Sequence, residues 1–108
     1  ESGYHAAQVL AKNKATFTAI LSGNDDMAIG AIKALTELGY SLPQDVSIVG
    51  FDNSNVGEFL TPSLTSVSVP LEQMTLKAIL KIVGAIEQAE SVCTTGNLVL
   101  RDSIAKLN

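Results

Sequence analysis

The sequence predicts an α/β fold, a parallel sheet flanked by helices, and three observations carry that prediction. Strand-like apolar runs alternate with helix-periodic stretches, the order expected of βαβ units with right-handed crossovers. The run Val46 to Phe51 (VSIVGF) is apolar along its length, and strands of that kind are covered on both faces of a parallel sheet. Polar residues directly follow two of the strands, at Ser22 to Asp26 and at Asp52-Asn53. Open α/β sheets gather ligands beyond the carboxyl ends of their strands, so these two places are the candidate site.

The elements follow in order. Tyr4 to Lys12 reads as a short helix, with Tyr4, Ala7 and Ala11 on one face and a break at Asn13-Lys14. Phe17 to Leu21 is a β-rich run that ends at Ser22-Gly23-Asn24. The clearest helix comes next, with Ala28, Ala31, Ile32, Leu35 and Leu38 at helical spacing. Asn24 supplies a cap, Asp25 and Asp26 supply first-turn acids, and Gly39 followed by Pro43 stops the helix. After Val46 to Phe51 a turn-rich loop runs to Pro62, and Thr65 to Val69 is β-branched and strand-like. Pro70 precedes a long helical run from Leu71 to about Glu90, and Leu98 to Leu100 forms a last short strand.

Composition narrows the function classes. The 108 residues are enough for one domain or part of one, and 46% hydrophobic against 17% charged residues is apolar for that size. Such a chain is expected to cover apolar surface against a partner or a further subdomain. No apolar run is long enough to cross a membrane. A net charge of −4, with seven dispersed basic residues, lacks what phosphate neutralisation requires, so any DNA contact belongs to another part of the protein. The single Cys93 excludes an internal disulfide and fits a reducing compartment. The opening Glu1-Ser2-Gly3-Tyr4 is neither a start methionine nor a signal peptide, so the chain is expected to begin in mid-protein.

Three blocks carry a family resemblance. Phe17 to Leu21 followed by Asn24-Asp25-Asp26-Met27-Ala28-Ile29-Gly30-Ala31 is similar to the "TAI…ND.MAIGA" segment of LacI/GalR transcription regulators. Leu42 to Asn53 (LPQDVSIVGFDN) resembles that family's "VP.DVSVVGFD" segment, and Thr61 to Val67 (TPSLTSV) resembles its "P.LTTV" crossing strand. The three stand in register across roughly residues 3 to 103. Members of the family join a helix-turn-helix head, a hinge and a sensor core of two α/β subdomains around an effector cleft. The resemblance therefore implies a partial periplasmic-binding-protein-like (type I) sensor domain. Residues 1 to about 67 and about 97 to 103 would belong to the C-terminal subdomain. The helix at about 71 to 90 would pack on the N-terminal subdomain, and the DNA-binding head is absent.

The resemblance also assigns residues. Asn24 reads from its position as a helix N-cap, and the family reading adds a hydrogen bond to an effector; the two are compatible. Asp52 is a turn former on its own, and in the family reading it accepts hydrogen bonds from effector hydroxyls. Leu71 stands where some sugar-responsive members carry an aromatic, which argues against ring stacking there, and Thr75 replaces a usual glycine. The dimer contact is expected on Ile29, Ile32 and Lys33 of the second helix and on Phe59-Leu60, an apolar pair in a polar loop. His5 is expected at the surface without a partner.

Together these imply the effector-binding and dimerisation portion of a cytoplasmic repressor. It would take a sugar- or nucleoside-like effector, form a homodimer, reach DNA only through the missing head, and have no contact with a membrane. No cofactor, no metal and no catalytic residue are expected. The alternative of the same fold is a periplasmic sugar-binding protein, against which the Leu60 to Val69 block and the Pro43-Gln44-Asp45-Val46 lead-in argue. An enzyme would read Asp25, Asp26 and Asp52 as a magnesium cluster, but no nucleophile–base pair or phosphate loop accompanies them. With half of the cleft missing, these residues alone are expected not to bind effector more tightly than millimolar.

Overall fold

The computed structural model describes residues 1–13, 16–85 and 93–107. The elements run α1 (Ser2–Lys12), β1 (Ala19–Leu21), α2 (Asp25–Glu37), β2 (Ser47–Phe51), a 3-10 turn (Asn55–Phe59), β3 (Thr65–Ser68), α3 (Leu71–Ile82) and β4 (Asn97–Val99). The sheet order is β1-β2-β3-β4. β1, β2 and β3 are parallel, with Leu21 opposite Val49 and Phe51 opposite Val67. Their carboxyl ends therefore share one edge, where Ser22, Asp52 and Val69 leave the sheet.

To this parallel sheet β4 adds one antiparallel strand beside β3, with Val67 opposite Leu98. A parallel neighbour needs a crossover helix that packs back over the sheet and returns the chain to the starting edge. No residue of α3 is buried, so it makes no such crossover. The chain comes back from the edge where β3 ended and pairs in the opposite direction. The expected helix from Leu71 also stops earlier, at Ile82, with Gly84 in the left-handed region (φ 72°) just beyond. Positions 86–90 of that expectation, like Lys14 and Ser91, lie outside the described residues.

The helical face of the sheet holds the core: Ile48, Val46 and Leu64 meet Ala28, Ala31, Ile32 and Leu35 of α2 and Ala7 of α1. Helical periodicity identified the α2 stripe, except that Leu38, just past the last helical residue, is exposed. Ile32, also expected at the dimer contact, is only 8% exposed and belongs to this core, because it lies on the same stripe as Ala28 and Leu35. It has almost no surface to offer a partner. The helices approach backbone to backbone: a Cβ on Gly3 would overlap the Met27 carbonyl, and one on Gly30 would crowd the Tyr4 nitrogen. Gly39 ends α2 with φ 89°, the left-handed C′ position that its sequence signature indicated.

The opposite face differs from expectation too. Leu21, Val49, Phe51, Val67 and Leu98 share it by register, and Leu21, Phe51 and Leu98 are exposed. Both α1 and α2 lie on the other side, so among the described residues one face of β2 is covered and not two. The segment after β4 secures the sheet's amino edge. Ser103 Oγ donates to the Ile48 carbonyl and accepts the Thr65 N–H at 2.8 Å, and the Ile48 N–H donates to the Ser103 carbonyl at 2.8 Å.

Candidate functional site

The carboxyl edge of the sheet brings together the two residues singled out in the sequence. Asn24 precedes α2 in extended conformation, and its Oδ1 accepts the Met27 N–H at 2.8 Å. The cap reading is correct, and it uses only the carbonyl end of the amide. The two Nδ2 hydrogens have no partner among the described residues and remain available to an acceptor at the strand ends.

Asp52 leaves β2 in the left-handed region, φ 103°, and Asn53 follows at φ 52°. Two successive non-glycine residues at positive φ are costly, and such strain concentrates at functional sites. The Asp52 N–H is held by the Val67 carbonyl at 2.9 Å, while its exposed carboxylate has no hydrogen-bond partner among the described residues.

Sequence reasoning missed the network that holds this turn. Asp25, read as a first-turn acid for the helix dipole, is 2% exposed. Its Oδ1 accepts from Ser66 Oγ at 2.6 Å, and its Oδ2 accepts the Ser54 N–H at 2.6 Å. Ser66 Oγ in turn accepts the Asn53 N–H at 3.0 Å. Arg101 closes the far side, donating from Nη2 to Asn53 Oδ1 at 2.9 Å and from Nη1 to the Leu64 carbonyl at 2.7 Å. No local signal marks these residues. Ser66 sits in a β-branched run, Arg101 follows the last strand, and only the sheet register brings them to the loop. The magnesium alternative loses one of its three acids on the same geometry, because Asp25 is committed to these donors.

The other candidates are dispersed. Ile29 is partly buried, Leu60 packs partly against the core, and Phe59 is 79% exposed on the 3-10 turn. Lys33 donates to Glu37 Oε1 at 2.6 Å. Leu71 is exposed at the same strand edge as Asp52. His5 lies edge-on to Tyr4, 4.0 Å from a Glu1 oxygen, and Cys93 is a free, exposed thiol. A shallow groove of about 190 Å³ between α1, β1 and the start of α2 includes neither Asn24 nor Asp52. Its lining includes Leu21, Ser22 and Gly23, so it abuts the carboxyl end of β1 on the side of α1. Among the described residues no helix is long and apolar enough to cross a membrane.

Parallel strands that end on one edge, with a strained aspartate beyond the central one, are the open α/β frame in which a periplasmic binding protein-like domain is built. The model of that family matches residues 1–104, and the chain belongs to it. Within it the chain is of the LacI/GalR regulator type, corresponding to part of the effector-sensing domain. It is 38% identical over 109 residues to the HTH-type transcriptional repressor PurR of Salmonella arizonae, covering 97% of this chain and 32% of the relative. It is 35% identical over 106 residues to the HTH-type transcriptional regulator AscG of Escherichia coli K12, covering 95% and 32%. A sugar-binding LacI-family transcriptional regulator from Escherichia coli, solved in complex with phosphate, superposes with a TM-score of 0.84 at 35% identity, covering 95% of this chain and 38% of that one. The chain thus spans about a third of the length of the curated relatives it matches. Those relatives are regulators, so the periplasmic transport alternative is the weaker reading.

Proposed function

We propose that this chain is the effector-binding and dimerisation portion of a cytoplasmic DNA-binding repressor, and that it performs no catalysis. The observation that carries the proposal is Asp52: its backbone is strained and pinned, and its carboxylate is left unpartnered at the edge where three parallel strands end. A carboxylate presents two acceptor oxygens, which suits the adjacent hydroxyls of a sugar or a nucleoside ribose. Asn24, with free amide hydrogens, supplies the complementary donor. The sugar-binding regulator from Escherichia coli supports that effector class.

The mechanism is a population shift. An effector held between this subdomain and a second one favours the relative orientation to which it binds more tightly. That orientation is passed through a homodimer to DNA-binding heads outside these residues. The apolar surfaces left open here support the two-subdomain division. Residues 1 to about 67 and 97 to 103 form the C-terminal subdomain. The exposed sheet face at Leu21, Phe51 and Leu98 is covered by other parts of the sensor core, and the apolar α3 packs on the N-terminal subdomain. Dimer contacts run through Ile29, Lys33, Phe59 and Leu60.

The test is calorimetric titration of the full-length protein with cellobiose, D-ribose and adenosine, before and after Asp52→Ala. Loss of at least tenfold in affinity for the compound bound, with an unchanged melting temperature, is the expected result. Equal affinity in the variant would remove Asp52 from the site.

A further inference from the structure

We infer that Asp25 is a positioning residue that holds the backbone of residues 52–54 and thereby aims the Asp52 carboxylate; the functional half of this inference rests on the reading of Asp52 as an effector ligand. The two acids that open α2 make the contrast. Asp26 is exposed, as an acid serving only the helix dipole would be, whereas Asp25 is 2% exposed. Burying a carboxylate is unfavourable unless hydrogen bonds replace its water. Here both oxygens are satisfied: Oδ2 by the Ser54 N–H of the turn after β2, and Oδ1 by Ser66 Oγ on β3, which itself accepts the Asn53 N–H of that turn.

Three consecutive amides are thus tied down across the strand end. Asp52 N–H goes to the Val67 carbonyl, Asn53 N–H to Ser66, and Ser54 N–H to Asp25. The second depends on Asp25 through the orientation of the Ser66 hydroxyl, and the third depends on it directly. Non-glycine residues at positive φ persist only where their surroundings over-determine them. Asp52 and Asn53 are such a pair, and Asp25 is the group that ties their turn to the start of α2. Gly50 completes the arrangement, because any side chain there would occupy the position of Oδ1. Asp25 also lies next to Asn24, so the proposed donor and the proposed acceptor for the effector share one rigid support.

The experiment uses the full-length protein, wild type and Asp25→Asn, with Asp25→Ser as a second variant should the first fail to fold. Hydrogen exchange of the peptide covering residues 50–56, measured without any effector, is expected to speed up at least tenfold at Asn53 and Ser54 while α2 stays protected. Unchanged protection in the folded variants would overturn the inference. A double-mutant cycle then separates positioning from general weakening. Asp25→Asn should lower affinity at least tenfold for whichever of cellobiose, D-ribose and adenosine the wild type binds. It should have no further effect once Asp52 is alanine. Losses that multiply independently would overturn the link from Asp25 to Asp52. If Asp52→Ala itself leaves affinity unchanged, the effector reading fails, and the exchange result still decides whether Asp25 holds the turn.

Discussion

Gly50 lies directly against Asp25: a methyl group built on the glycine would overlap Oδ1 of the buried carboxylate. Gly50→Ala must therefore displace either the central strand or the carboxylate with its two hydrogen bonds. Overpacking of this kind costs about 1–3 kcal/mol, and the upper half of that range is expected because the displaced group is buried and would lose its two hydrogen bonds. Gly23→Ala is the control, since a Cβ there would meet only the flexible sulfur of Met27 at 3.5 Å. Chemical denaturation of both variants checks this, and equal stability would show that the Asp25 site is looser than its geometry.

Asn24 caps α2 and is proposed to donate to the effector, and substitution can separate the two. Loss of its cap in Asn24→Ala should cost about 1 kcal/mol, whereas Asn24→Ser keeps an oxygen for the Met27 N–H and should cost a few tenths. Only the asparagine carries the free amide hydrogens proposed for the effector. The serine variant should then melt nearly as the wild type does and still bind the effector several-fold more weakly. Wild-type affinity in Asn24→Ser would reduce Asn24 to a cap.

Much of this fold was legible in the sequence because its signals are local. The α2 stripe, its asparagine cap and its glycine stop each depend on neighbours within four residues, and each stands where the spacing put it. Asn24 and Asp52 were legible as strand-end residues by the same logic. Asp25, Ser66 and Arg101 were not, because what distinguishes them is contact across 29 to 48 positions of sequence. The direction of β4 was hidden for a related reason. Periodicity shows that a helix follows β3 but not whether it packs on its own sheet, and α3 does not. Ile32 shows the limit within one element, since periodicity placed it on the buried stripe and the family reading placed it at the dimer contact.

Phe59 tests the dimer contact. It is 79% exposed on a turn whose backbone does not depend on its ring, so Phe59→Asp should leave the melting temperature of the isolated chain within about a degree, as surface changes generally do. In the full-length protein the same charge would sit in an apolar interface. Sedimentation velocity should then show monomer at concentrations where the wild type is dimeric. A variant that stays dimeric places the interface elsewhere.

The clip between α1 and α2 should respond to pH at both extremes. Hydrogen bonds from Lys33 and then from Tyr4 hold Glu37 below its ordinary value of 4.5, and bonding to Glu37 raises both Lys33 and Tyr4 above theirs. The contribution of Glu37 is therefore complete above pH 4.5 and lost as pH falls through its lower folded value. Those of Tyr4 and Lys33 are complete below 10.0 and 10.5 and lost as pH rises through their higher folded values. All three groups are at the surface, so salt should weaken the effect. The side-chain carboxyl carbon of Glu37, followed by NMR, should titrate below 4.5, and a midpoint at or above that value would mean the clip does not form in solution.

The last prediction concerns α3, whose Leu71, Met74, Leu76, Ile79 and Ile82 are all exposed, as is Val83 just past its end. They form a broad apolar face on an amphipathic helix, and such a face is ordinarily covered. Ile79 and Ile82 lie near the middle of the apolar arc, so Ile79→Gln with Ile82→Gln removes its centre while keeping good helix formers. The expected consequences have opposite signs in two contexts. In the 108-residue chain, where nothing covers these side chains among the described residues, the double variant should bind less of a hydrophobic dye, self-associate less and melt where the wild type does. In the full-length protein, where α3 is proposed to pack on the second subdomain, the same change uncovers two side chains worth about 1.5–3 kcal/mol each and should lower stability by several kcal/mol. Dye binding and denaturation on both proteins decide the matter. Equal stability of the full-length pair would mean that α3 is not packed against the second subdomain, and the proposed division of the chain would have to be redrawn.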